Sequence, residues 1–143
     1  YLAKLIEKYK LSECVDFLPP LKPEQMKEQY LKSNVFVSPS SIENSPNSLG
    51  EAMMLGVPCV SSLVGGVGNM LQNEVEGYVY QHDAPYMLAY YVMKIFDMQE
   101  SDAAALDAMT NAALLHAEQL FNRRTNAENM LEIYERIAQW RSV

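Results

Sequence analysis

Two carboxylates, Glu43 and Glu51, stand with seven residues between them in a stretch rich in small polar residues, Ser-Pro-Ser-Ser-Ile-Glu-Asn-Ser-Pro-Asn-Ser-Leu-Gly-Glu-Ala-Met-Met-Leu-Gly-Val-Pro, residues 38–58. Glu43 falls on a polar turn. Glu51 falls at the start of a helical pattern, in its expected first turn. The first N–H groups of a helix have no intrahelical acceptor, and the helix dipole favours negative charge there. A strand, a small-residue loop and an exposed helix N-terminus together make a site for an anion. Two simpler readings stand beside this one. Ser48-Leu49-Gly50-Glu51 fits a capping box, in which Glu51 bonds back to the cap residue. Ser45-Pro46 fits an N-cap followed by proline at the first helical position. Neither gives Glu43 a role.

The elements that must position these residues are legible around them. Val35-Phe36-Val37 is short, β-branched and aromatic, and ends at Pro39, which predicts a buried strand. The helix is expected from about Asn47 to Leu55, stopped by Gly56 and Pro58. Upstream, Leu2, Leu5, Ile6 and Tyr9 share one face of a helix over residues 1–10. Val15 to Leu18 reads as a strand ended by Pro19-Pro20. Pro23 opens a helix to about Lys32 with Met26 and Tyr30 inward. Downstream, Cys59-Val60-Ser61 and Tyr78-Val79-Tyr80 read as strands. Between them Gly65, Gly66 and Gly68 make a flexible loop before a short helix near Asn69 to Gln72.

Pro85 starts a helix striped by Leu88, Tyr91, Val92, Ile95 and Phe96, with Met87 and Met93 as further core. An alanine-rich helix follows from Asp102 to Phe121. Thr125-Asn126-Ala127-Glu128 fits a capping box opening a last helix, where Met130, Ile133, Tyr134, Ile137 and Trp140 share a face. Ordinary core packing is the reading for most of that stripe. Strands alternating with helices imply an α/β fold, a Rossmann-like parallel sheet with flanking helices and right-handed crossovers.

Composition narrows the function classes. The 143 residues are 49% hydrophobic, enough for one domain with a core, and carry a net charge of −7. That balance argues against nucleic acid as a partner, since phosphate-backbone binding needs clustered Lys and Arg. It argues equally against a polybasic membrane patch. No apolar run approaches the roughly 20 residues of a membrane span, and Tyr1-Leu2-Ala3-Lys4 does not read as a signal peptide. Cys14 and Cys59 are too few for a disulfide framework and read as buried, reduced thiols. No metal-ligand spacing is present, and His82 and His116 are far apart, so no metal is expected.

The segment around Glu43 and Glu51 resembles the Glu-x7-Glu motif of retaining GT-B glycosyltransferases, the "group 1" family. Val35 to Ser40, Glu51-Ala52-Met53 and Gly56-Val57-Pro58 fit as well. The likeness runs on through Gly65-Gly66 and Gly77-Tyr78-Val79 towards Phe121 and Tyr134. It implies transfer of a sugar from a nucleotide-diphosphate sugar to an acceptor with retention, without a metal or other cofactor. By resemblance, the amides of Asn47, Ser48 and Leu49 face the diphosphate, Glu51 accepts hydrogen bonds from the ribose hydroxyls, and Glu43 is the catalytic residue at the donor sugar. Ser45 belongs with the donor-binding residues, while Pro46, lacking an N–H, only shapes the turn. The family often has a Pro-Glu pair after the Gly-Gly pair, where Gly68-Asn69 stands here.

The resemblance also implies an incomplete unit. The chain matches the later two-thirds of a C-terminal donor-binding domain, residues 1–143 being a partial domain. Two strands, the basic residues set against the diphosphate and an N-terminal acceptor domain are expected upstream. The nearest cations in sequence, Lys22 and Lys32, fall on another helix. The chain alone is therefore expected to be inactive. The full-length enzyme would take a sugar, lipid or polysaccharide acceptor, in the cytoplasm or peripheral to the inner membrane. With Val15–Leu18 as third strand and the central strand as fourth, the joining strands are missing, and self-association through an open edge is expected. A non-catalytic nucleotide- or phosphate-binding module, or a purely structural fragment, are the alternative readings.

Overall fold

The structure, a computed structural model, describes residues 1–140. The chain begins with α1 (Leu2–Lys8) and α2 (Pro23–Lys32). It then alternates β1 (Phe36–Ser38), α3 (Asn47–Met54), β2 (Cys59–Ser62), α4 (Val67–Met70) and β3 (Tyr78–Tyr80). Three helices close it: α5 (Pro85–Ser101), α6 (Ala103–Leu120) and α7 (Arg123–Trp140). The strands form one parallel sheet in the order β1-β2-β3, with Val37 opposite Val60 and Ser61 opposite Val79. This is the α/β sheet with flanking helices that the alternation of elements predicts.

Successive strand residues point to opposite faces, and β2 divides the core accordingly. Cys59 joins Leu49, Met53, Val67, Leu71, Ala113 and Ala117 on the side of α3 and α4. Val60 joins Tyr78, Tyr91, Ile95 and Met109 on the side of α5. Helix α6 contributes to both clusters. All four β2 residues are buried, as expected of a central parallel strand. On the second face the rings of Tyr78 and Tyr91 stack, with centroids 4.6 Å apart.

Several expectations are corrected. Val15 to Leu18 forms no strand, and its side chains face solvent, Phe17 at 68% exposure. A strand is held by its ladder, and among the described residues β1 pairs only with β2, so no described strand pairs with residues 15–18. Cys14 is exposed for the same reason, whereas Cys59 is buried as expected. The short helix begins at Val67, because Gly66 takes the cap position and Val67 is drawn fully into the core. Helix α7 begins two residues before Thr125. The Asn122 carboxamide oxygen accepts from the N–H groups of Arg124 and Thr125, at 3.0 and 3.1 Å, and so pre-empts the Thr125 box. Met93 and the whole α7 stripe of Met130, Ile133, Tyr134, Ile137 and Trp140 are exposed. Among the described residues no helix is long and apolar enough to cross a membrane.

Candidate functional site

Helix α3 starts abruptly. Pro46 is its cap residue, with extended backbone and no side-chain cap hydrogen bond. Neither capping arrangement read from the sequence forms. Ser45 instead directs its hydroxyl to the Met70 sulfur, 3.7 Å away. Glu51 is the fifth residue of α3, in its second turn rather than its first. The Pro46 carbonyl accepts from Leu49 at 3.1 Å and from Gly50 at 3.4 Å. The Leu49 amide is therefore engaged within the helix. Those of Asn47 and Ser48 have no acceptor among the described residues.

Glu51 has a partner that the sequence reading placed only in the core. Tyr30, on α2, is 5% exposed. Its hydroxyl lies 3.2 Å from Glu51 Oε2 and 3.3 Å from the Ser48 carbonyl oxygen. Burial, together with the charge of Glu51, pushes the Tyr30 phenol up to about 12, so at neutral pH it is a firm donor. A buried hydroxyl needs an acceptor; that requirement was the signal available in the sequence. Glu51 itself lies on the rim of an apolar groove of about 360 Å³ with Tyr30, Met26, Leu21 and Leu55. Lys27 also lines this groove, whereas Lys22 and Lys32 do not. A smaller groove of about 200 Å³ joins Glu51 to Asn47, Gly50, Met54 and Phe121.

Glu43 is half-buried on the loop between β1 and α3, and its Oε1 accepts from the Ser40 hydroxyl at 2.9 Å. That loop is fixed from below. The Ser62 hydroxyl, at the end of β2, donates to the carbonyls of Ser38 (3.3 Å) and Ser40. The Gly66 N–H donates to the Asn44 carbonyl. Gly65 adopts φ +53°, and any side chain there would collide with the Glu43 carbonyl. The Gly-Gly pair thus packs closely beneath the Glu43 loop. Glu43 does not share either groove with Glu51. The structure places it on the loop leading into α3, and places Asn47 and Glu51 together on one groove.

This arrangement can hold a ligand with a charged centre and hydroxyl-bearing arms. Two free amides at a helix start attract an anion. One helical turn further, about 6 Å along the axis, Glu51 presents an oriented carboxylate beside an apolar groove. Among the described residues no group of three or more His, Cys, Asp or Glu stands close enough to hold a metal ion.

The profile of the family "Glycosyl transferases group 1" matches residues 1–113. The chain belongs to the group 1 glycosyltransferases. It is 29% identical over 135 residues to the amylovoran biosynthesis glycosyltransferase AmsK of Erwinia amylovora, covering 90% of this chain and 32% of that one. Sucrose-phosphate synthase from Thermosynechococcus elongatus superposes with a TM-score of 0.82 at 25% identity, over 96% of this chain and 34% of the other. The Anabaena protein Alr3699/HepE, solved in complex with UDP-glucose, shares the fold with a TM-score of 0.78 at 20% identity, over 94% and 35%. The fold is thus part of a GT-B glycosyltransferase fold. This group 1 chain spans about a third of the length of the relatives it matches.

Proposed function

We propose that this chain is the donor-binding part, from the C-terminal domain, of a retaining GT-B glycosyltransferase, with residues 38–58 as its Glu-x7-Glu motif. The observation that carries the reading is the start of α3. Free Asn47 and Ser48 amides stand one turn before Glu51, and Tyr30 holds that carboxylate beside an apolar groove. A nucleotide-diphosphate sugar has its parts in this order. The diphosphate takes the two amides, and Ser45 borders it. The ribose hydroxyls donate to Glu51. The base, one bond further, enters the apolar groove. The sugar lies on the opposite side of the diphosphate, towards Glu43. Leu49 contributes to the site through the helix it anchors rather than through its amide.

The chemistry follows from that order. The diphosphate gains negative charge as its bond to the sugar breaks, and amides already aimed at it stabilise the charge without reorganising. Glu43, fixed by Ser40 and the glycine support, stabilises the positive charge that develops on the sugar. No protein-bound metal or organic cofactor takes part. The acceptor is a sugar, lipid or polysaccharide held by another part of the full-length enzyme, and an enzyme of this kind works in the cytoplasm or at the inner membrane surface. The complex of Alr3699/HepE with UDP-glucose supports a nucleotide sugar as the donor.

Calorimetric titration of the chain with UDP, GDP and ADP tests the reading. One nucleotide is expected to bind saturably. Glu51→Ala should weaken it by about tenfold or more, the loss of charge-assisted hydrogen bonds worth roughly 1.5–3 kcal/mol. Absence of binding by all three, or equal affinity in the variant, would overturn the donor-site assignment. In the full-length enzyme, NMR of the first-formed product should show the donor's anomeric configuration kept.

A further inference from the structure

A second and larger cleft, of about 800 Å³, opens along the outer edge of β3. Its volume lies within the roughly 300–1,000 Å³ of small-ligand sites. No residue assigned above to the donor lines it. Its polar lining residues are Gln72, Asn73, Gln81, Asp83, Tyr86 and His116, interspersed with apolar ones such as Leu63, Leu71 and Met87.

The composition of the walls selects the ligand. Asp83 lines the cleft, and among the described residues no Lys or Arg does. A phosphate, carboxylate or nucleotide would meet a carboxylate and no cation there, so anions are disfavoured. A wholly apolar ligand would bury several amide and imidazole groups without partners, at a cost. An extended peptide adding to the β3 edge is also disfavoured. The Asn73 carboxamide oxygen already accepts from the Val79 N–H at 2.8 Å and so occupies a donor that such a strand would need. A neutral polyol satisfies all three conditions. Its hydroxyls both donate and accept, matching carboxamides, carboxylate and imidazole. Its C–H face suits an exposed aromatic ring, and Tyr86 is 72% exposed.

Part of the lining is preorganised. Glu76 is buried behind it, and its Oε2 accepts from the Gln72 N–H at 2.8 Å and pairs with His116 Nδ1 at 2.9 Å. A carboxylate acceptor fixes Nδ1 as the donor. His116 Nε2 then has no partner among the described residues. The donor mechanism uses none of this cluster.

We propose that the β3-edge cleft binds a neutral sugar unit of an oligosaccharide, at a site separate from the start of α3. The proposal does not depend on the donor-site reading. The purified chain is applied to an array of neutral oligosaccharides, acidic oligosaccharides and extended peptides, and the strongest neutral binder is then titrated by amide NMR. Neutral glycans are expected to be retained, with shifts confined to residues 72–73, 81–87 and 116 and unaffected by UDP. Tyr86→Ala and Gln81→Ala remove exposed side chains, so the fold is kept, and each should weaken binding by about tenfold. The proposal is overturned if no neutral glycan is retained above the level of Tyr86→Ala. Preferential retention of acidic glycans or peptides overturns it as well, as do equal affinities in both variants.

Discussion

The most informative single contact is Tyr30 with Glu51. The hydroxyl reaches both the carboxylate and the Ser48 carbonyl, so it fixes the side chain and the first turn of α3 at once. Tyr30→Phe keeps the ring and removes the hydroxyl. It should cost about 0.5–1.5 kcal/mol of stability and weaken nucleotide binding less than Glu51→Ala does. Denaturant melts and calorimetry separate the two effects, and unchanged nucleotide affinity would show that Glu51 needs no positioning. The alkaline limb follows from the same group. Tyr30 is raised from an ordinary 10.0 to about 12, and burial raises Cys59 from 9.0 to about 12. Both raised values mean that the folded state holds the proton more tightly. The stability they contribute is complete below about pH 9 and is lost as pH rises towards 12. Denaturation midpoints at pH 8 and pH 11 should therefore fall less steeply with pH in Tyr30→Phe. With Cys14 exposed and Cys59 buried, a thiol reagent should modify one thiol in the native chain and both on unfolding.

At the scale of elements, the site is two loops locked together. The loop after β2 supports the loop after β1 through Ser62, Gly65 and Gly66, each acting on a backbone carbonyl of residues 38–44. Gly65→Ala meets both a steric clash and a positive φ, so it should displace Glu43 while leaving the buried β2 ladder intact. In the full-length enzyme, kcat should fall more than tenfold with little change in Tm; a wild-type kcat would show that Glu43 needs no such support. This coupling was not legible in the sequence, because a Gly-Gly pair reads as flexibility until the opposing carbonyl is known. The strands β1, β2 and β3 and helix α3 were legible, since short β-branched runs and a Gly-Pro stop are local signals. Val15–Leu18 carries the same kind of signal and forms no strand, because a ladder needs a partner and pattern alone does not supply one. The start of α7 was misplaced because Asn122 and Thr125 are both good caps, and only geometry selects between them. Of the candidate site, the start of α3 near Asn47 could be read from the sequence, while Glu51 falls one turn later in it than expected. The inward position of Tyr30 signalled that its hydroxyl needed an acceptor, but not that Glu51 supplies it, because α2 reaches α3 through tertiary packing.

At the scale of the whole molecule, apolar surface is distributed unevenly. Helix α7 buries none of its residues, and Ile133, Tyr134, Ile137 and Trp140 stand exposed along it. Among the described residues the outer edge of β1 has no strand beside it, and Phe17 and Leu18 are exposed in the segment that precedes α2. Open strand edges and contiguous apolar surface both drive association. The isolated chain is therefore expected to self-associate, and α7 should contribute without supporting the core. A shortened chain of residues 1–121 separates these roles. It should keep its cooperative melt, with Tm nearly unchanged, because both hydrophobic clusters lie outside α7. Light scattering should show a smaller assembly for it than for residues 1–143, and the remainder would report the β1 edge. A stable monomer for the longer chain at high concentration would show that neither surface drives association. A shortened chain that loses its cooperative melt would show that α7 packs on the core in solution.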